Sequence, residues 1–289
     1  MNTVLVIGAH GQLASEISVL KDEFQDLKFY FTPSSETDIS QMESVRSIIH
    51  HTSPHFIINC GAYTAVDKAE SDENRAYQIN ETGAQNLASL CHENNIFLIH
   101  ISTDFVFDGT KKSPYIEADP VHPISVYGAS KLKGEEAIIK SQCNFTIIRT
   151  SWLYSHFGNN FVKTMMRLGA EKSEINVVSD QIGSPTYCRD LARFILTNLH
   201  KFSSHNQEIY HFSNEGIASW YEFAEEIMKL NHFSCKVNPI PTSEYPTPAS
   251  RPAYSVMDKT KVKSHFSYAI PHWKESLAQC IALIQASTK

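Results

Sequence analysis

The sequence predicts an α/β protein built on a doubly wound parallel sheet, with a smaller α/β unit in its second half. Three observations predict this. Short β-branched runs alternate with longer stretches of helical period. The runs are apolar throughout instead of alternating, which suits strands covered on both faces. The first of them leads directly into a glycine turn and a helix.

Taken in order, Val4-Leu5-Val6-Ile7 is the first strand, and a helix runs on from Gln12. Phe29-Tyr30-Phe31 is the second strand. Ser40-Gln41-Met42-Glu43 has the capping-box spacing and should open a helix through Val45, Ile48 and Ile49. Phe56 to Ile58, Ile96 to Ile101 and Phe145 to Ile148 complete five strands, with helices over Ala76 to Cys91 and Tyr127 to Lys140. This is the order of a Rossmann-type sheet, whose ligands lie at the carboxyl ends of the strands. The second half gives a helix near Asn160 to Leu168, a strand at Ile175 to Val178, a helix after Asp190 and a strand at Ile209 to Phe212. Ser219-Trp220-Tyr221-Glu222 is a second capping box. The prolines from Pro239 to Pro252 predict a loop. A nucleotide-binding domain is expected over 1–150 and a substrate domain over 151–289, with one segment near 186–213 returning to the sheet.

The chain has 289 residues, 42% hydrophobic and 19% charged, enough for a packed core. Its net charge of −6 provides no general field for nucleic acid or anionic lipid, so an anionic ligand must be held by local donors. The six cysteines are scattered without a C-x-x-C pair, which argues against a zinc site or redox dithiol and for buried, reduced thiols. No signal segment and no membrane-length apolar run is visible, so a soluble cytoplasmic protein is expected.

Gly8-Ala9-His10-Gly11-Gln12-Leu13-Ala14 lies on the first strand–helix junction, where glycines let helix N-terminal amides approach a pyrophosphate. The second strand leads into Thr32-Pro33-Ser34-Ser35, and the first acid after it is Glu36. Nothing there repels a 2′-phosphate and no arginine grips one, so NADPH is favoured with NADH open. Tyr127 and Lys131 stand four apart on a predicted helix, hence on one face. A phenol can protonate a ketone oxygen, and a nearby ammonium is expected to lower its pKa from about 10. Thr103 ends the fourth strand; its hydroxyl either bonds the same carbonyl oxygen or is tied to its own backbone. Asn80 either satisfies a buried backbone group or lines the cofactor site.

With these residues assembled, the chain resembles the dTDP-4-dehydrorhamnose reductases, within the extended short-chain dehydrogenase/reductases. The similarity is carried by Gly8 to Leu13, Tyr63 to Glu70, Ser102 to Gly109, Tyr127 to Lys131, Arg149 to Tyr154 and Asn160 to Met165. It continues through Gly183 to Thr186, Ser219 to Ala224 and Arg251-Pro252 with Ser255. The resemblance implies reduction of the 4-keto group of dTDP-4-dehydro-L-rhamnose, a step in making cell-surface polysaccharide. It makes Tyr127 the general acid, Lys131 its partner and Thr103 the residue that orients the ketone. It implies cofactor contacts from Gly8, His10, Gly11, Gln12, Leu13, Asp38, Ile39, Ala62, Tyr63, Thr64, Tyr127 and Lys131. Thr103, Asp104, Phe105, Trp152 and Arg251 would border the substrate. Trp152 has a second reading as a core aromatic, and Arg251 as a salt bridge anchoring its loop.

The chain departs from the family's pattern at Ala14 in place of glycine, at Cys60-Gly61 in place of two alanines, and at Phe105 in place of tyrosine. The last removes a hydroxyl near the sugar. Some members dimerise through acidic residues around Mg2+; Glu16 matches one such position, but no full ligand set is found, so no metal is assigned and a homodimer stays open. A dehydratase is disfavoured because Phe105, not a carboxylate, follows Thr103-Asp104. A reductase or epimerase of another nucleotide sugar, and a non-catalytic regulatory subunit such as that of eukaryotic methionine adenosyltransferase, remain alternatives.

Overall fold

The computed structural model describes residues 1–287. Strand β1 (Asn2–Ile7) feeds helix α1 (Gln12–Leu20), and β2 (Leu27–Thr32) is followed by α2 (Met42–Thr52). After β3 (Phe56–Asn59) come two short helical segments and a π turn (Gln78–Thr82) leading into α3 (Gly83–Asn94). β4 (Phe97–Thr103), α4 (Val126–Lys140) and β5 (Asn144–Thr150) complete the first half. The second half carries α5 (Phe161–Glu171), β6 (Glu174–Val178), α6 (Cys188–Thr197), β7 (Glu208–His211) and α7 (Trp220–Leu230), then β8 (Lys236–Ile240), α8 (Thr260–Phe266) and α9 (Trp273–Ser287).

Six strands form one parallel sheet in the order β7-β5-β4-β3-β1-β2. β1 shows why its sequence is apolar without alternation. Val4 and Val6 enter one core with α1, α6 and α8, whereas Leu5 and Ile7 enter the opposite core with α2, α3 and α4. Both faces are therefore dry, and each fully buried side chain of this size is worth about 1.5–3 kcal/mol. The chain winds outward both ways from β1 and β3, so their carboxyl ends flank a crevice. β7 pairs with β5, so a segment of the second half does enter the sheet. A separate core around Tyr154, Phe223 and Trp273 serves the remaining second-half elements, which include the parallel pair β6–β8.

Three expectations are corrected. Ser40 does not cap α2; Gln41 holds that position without a side-chain bond. The stronger acceptor Asp38 takes both the Ser40 amide (3.0 Å) and its hydroxyl (2.7 Å) into a local turn. The helix expected over Ala76 to Cys91 is interrupted by the π turn, where the Asn80 carbonyl comes so near Gly134 that a Cβ there would stand 2.2 Å from it. Pro239 lies within β8 instead of a loop, on a two-stranded edge where a missing N–H is tolerated. Ser219, in contrast, forms the full reciprocal capping box with Glu222.

Candidate active site

A cleft of about 890 Å³ opens at the carboxyl ends of the sheet. At its floor the β1–α1 turn runs through Gly8 at φ +82°, where a Cβ would stand 2.9 Å from the Gly61 nitrogen. Only glycine lets the turn pass this close to the end of β3. At Gly11 a Cβ would meet the Gly8 carbonyl at 3.1 Å. The α1 amides thus stand open to the cleft as a cradle for an anion, with no side-chain cap competing for them.

Across the cleft, α4 starts at Ser125, whose hydroxyl accepts the Gly128 amide (3.2 Å). Gly128 lets the helix press on the turn after β4, since a Cβ there would lie 2.2 Å from the Phe105 carbonyl. The Phe105 and Tyr127 rings consequently meet edge to face, with centroids 5.5 Å apart. One turn along, Lys131 is 2% exposed, and its Nζ donates to the Ile101 carbonyl (2.7 Å). Beneath it the buried Glu135 carboxylate accepts the Ser102 hydroxyl and a bidentate Arg149, fastening α4 to β4 and β5.

Burial dominates the electrostatics. The Tyr127 phenol is pushed up to about 12 by burial, which the neighbouring Thr103 hydroxyl offsets only in part. The lowering expected from a nearby ammonium is not what the structure has. Lys131 spends its strongest contact on a carbonyl, and burial brings its own pKa down to about 8. Asp104, also buried, is raised to about 6. Thr103 Oγ1 accepts the Phe105 amide (3.1 Å) and donates its one proton to Asp104 (3.1 Å), so the hydroxyl is tied locally beside the phenol.

Of the residues singled out in the sequence, the cleft brings together Gly8, His10, Gly11, Gln12, Leu13, Asp38, Ile39, Ala62, Thr64, Thr103, Asp104, Phe105, Tyr127, Lys131, Trp152 and Arg251. Tyr63 stands apart. Its phenol donates to Asp72 (3.0 Å), and Asn80 holds its backbone N–H and carbonyl, so Asn80 serves the buried backbone. Trp152 sits at φ +48° with its indole stacked on Trp220 at 3.5 Å, and Gly183 leaves room for the ring. The Arg251 guanidinium is gripped by Asp67 (2.8 and 3.0 Å), the anchoring ion pair, although it borders the cleft. Glu16 is fully buried, facing Ser155 (2.6 Å), His156 (3.0 Å) and Arg189 (2.8 Å). Its carboxylate is occupied by donors, and among the described residues no group of three His, Cys, Asp or Glu stands ready for a metal. Sequence reading missed Trp220 and Arg75 on the cleft wall. Trp220 lies inside the recognised Ser219 to Ala224 segment, whereas Arg75 carries no motif signal.

The glycine turn at the head of a doubly wound parallel sheet, facing a tyrosine and lysine one helical turn apart, defines a Rossmann-type scaffold of the extended short-chain dehydrogenase/reductase class. The family model described as RmlD substrate binding domain matches residues 1–286. The chain belongs to the dTDP-4-dehydrorhamnose reductase family. A relative named dTDP-4-dehydrorhamnose reductase from Aggregatibacter actinomycetemcomitans is 40% identical, with 96% of this chain and 97% of the relative covered. The crystal structure of a dTDP-4-dehydrorhamnose reductase from Clostridium acetobutylicum superposes with a TM-score of 0.93 at 40% identity, covering 98% of this chain and 99% of that one. That of the Bacillus anthracis reductase in complex with NADP gives 0.91 at 38% identity, covering 97% and 99%.

Proposed function

We propose that this protein reduces the 4-keto group of dTDP-4-dehydro-L-rhamnose with NADPH. The observation that carries the reading is the single cleft in which Thr103, Tyr127 and Lys131 face the glycine cradle. The names of its relatives support it, as does the NADP bound by the Bacillus anthracis reductase. The cofactor supplies a hydride when bound, and the chain's residues do the rest. Gly8 to Leu13 would hold the pyrophosphate on the α1 amides, with Asp38, Ile39, Ala62 and Thr64 as further cofactor contacts along the cleft. Tyr127 delivers its proton to the ketone oxygen. The high phenol pKa suits this task, because the group stays protonated until charge builds on the substrate. Thr103 fixes the oxygen, and Lys131 steadies the phenolate that forms. The Trp152 face and Phe105 bound the deoxysugar, with Arg251 holding the cleft's outer loop in place.

The reading is tested by mixing pure protein, NADPH and dTDP-4-dehydro-L-rhamnose and following nicotinamide absorbance and the sugar product by NMR. Stoichiometric loss of NADPH with formation of dTDP-L-rhamnose is expected. No consumption at saturating substrate would leave the chain as a binding protein and end the proposal.

A further inference from the structure

Beneath Lys131 runs a buried polar line that the reduction scheme above does not use. The Gly61 amide donates to Asn59 Oδ1 (3.0 Å), and this backbone donor decides which end of the Asn59 amide faces inward. The NH2 end therefore meets His100 Nδ1 at 3.0 Å. Asn59 and His100 are each 1% exposed. An amide NH2 can only donate, so Nδ1 must accept. A neutral imidazole has one proton, which is then on Nε2. Burial and the neighbouring Lys131 charge keep the ring neutral, holding its pKa well below the ordinary histidine value. Nε2 lies 3.4 Å from Lys131 Nζ.

This tautomer matters to the lysine. Against an ammonium it sets N–H toward N–H; against a neutral amine it donates to the free lone pair. The other groups facing Lys131 are the Cys60 thiol, Glu135, which Arg149 already neutralises, and the Ile101 carbonyl. Of these only the Cys60 thiol can also donate, and an S–H is a weak donor. We infer that His100, oriented by Asn59, is a positioning residue that stabilises the amine form of Lys131 and so makes the lysine a ready proton donor to Tyr127. The inference rests on the reductase reading for its purpose. When Tyr127 has given its proton to the ketone oxygen, the phenolate is reprotonated at the expense of Lys131 Nζ, one helical turn away in the same cleft. Lysine becomes an amine that accepts from His100 Nε2–H, and it recovers its proton from solvent once product leaves.

Two measurements test it. In 15N-labelled holoprotein a long-range proton–nitrogen spectrum distinguishes the tautomers, and the His100 ring among the 14 histidines is assigned by its loss in His100→Gln. A neutral ring protonated on Nε2 at pH 7 and above is expected; Nδ1–H, or an imidazolium at pH 7, overturns the inference. The second is the pH profile of kcat for Asn59→Asp. A carboxylate accepts from both Gly61 and Nδ1–H, which reverses the tautomer and turns the Nε2 lone pair toward the ammonium. The basic limb should move up by at least one pH unit, with the Kd for NADPH within twofold of wild type. An unmoved limb overturns the inference, and so does an equal move in Asn59→Asp/His100→Gln, where the added charge acts without the ring. The spectrum needs no turnover, so a protein inactive on the keto-sugar would sink the reductase reading while leaving the tautomer result to stand by itself.

Discussion

Replacing Arg251 by alanine separates two duties that a guanidinium at the cleft edge can have. The side chain makes two contacts to Asp67, one to the Thr247 hydroxyl (2.5 Å) and one to the Ala249 carbonyl (3.1 Å). Its partner is 42% exposed and Arg251 itself 25%, so water screens the charge. Exposed ion pairs are worth about 0.2–1 kcal/mol, and bidentate geometry with two further bonds places this one at about 1–2 kcal/mol. For a domain of this size that is a fall in Tm of roughly 2–6 °C. Arg251 holds the Asp67 carboxyl below its ordinary range, so the contribution is present above that range and is lost as pH falls through the depressed value. The difference between Arg251→Ala and wild type should accordingly shrink in acid. Since the loop borders the cleft, kcat and KM should worsen together. Thermal melts at several pH values and steady-state kinetics decide the matter. A large rise in KM for the sugar nucleotide with unchanged Tm refutes the anchoring role and restores the expected substrate contact.

Three further outcomes follow from the geometry. Tyr127→Phe should lower kcat by about 10²–10⁴-fold with NADPH affinity retained, and a variant turning over at wild-type rate removes the phenol as acid. Gly128→Ala would ordinarily favour a helix by up to about 1 kcal/mol. Here the new Cβ stands 2.2 Å from the Phe105 carbonyl, so a loss of about 1–3 kcal/mol is expected in urea unfolding, with kcat reduced as Tyr127 moves. Lys131 binds its proton less tightly folded than unfolded, so its own contribution to stability rises with pH from about 8 toward the ordinary lysine value of 10.5, and the difference between wild type and Lys131→Met should change over that range. Lys131→Met, which removes that buried charge, should be more stable than wild type at pH 7 by about 2 kcal/mol and nearly inactive. A stability difference that does not change between pH 7 and 10 contradicts the lowered pKa.

The parts of the molecule legible in the sequence are those that local rules determine. Val4 to Ile7 read as a strand buried on both sides because both faces of the sheet are covered, and Ser219 capped its helix because no nearer acceptor competes for it. Ser40 failed for the opposite reason, with Asp38 two residues away. The π turn was invisible because its cause, the contact between the Asn80 carbonyl and Gly134, joins residues more than fifty positions apart. The site shows the same division. Tyr127 and Lys131 were found by helical spacing and Gly8 by its turn. The raised phenol pKa is not legible in that spacing, which places the ammonium nearby but says nothing of the depth at which both groups are buried or of the carbonyl that engages Lys131. Arg251 was seen as a candidate, but its partner Asp67, 184 positions away, was not.

Hydride passing from NADPH to a ketone held beside Tyr127 can be followed by isotope transfer. NADPH carrying deuterium on the transferring face of its nicotinamide C4 is incubated with wild-type protein and dTDP-4-dehydro-L-rhamnose, and the sugar is analysed by mass spectrometry and NMR. One deuterium at sugar C4 in a single configuration is expected, with transfer slowed about 10²–10⁴-fold in Tyr127→Phe. Tight NADPH binding with no label in the sugar would contradict it, and so would label appearing at any other carbon.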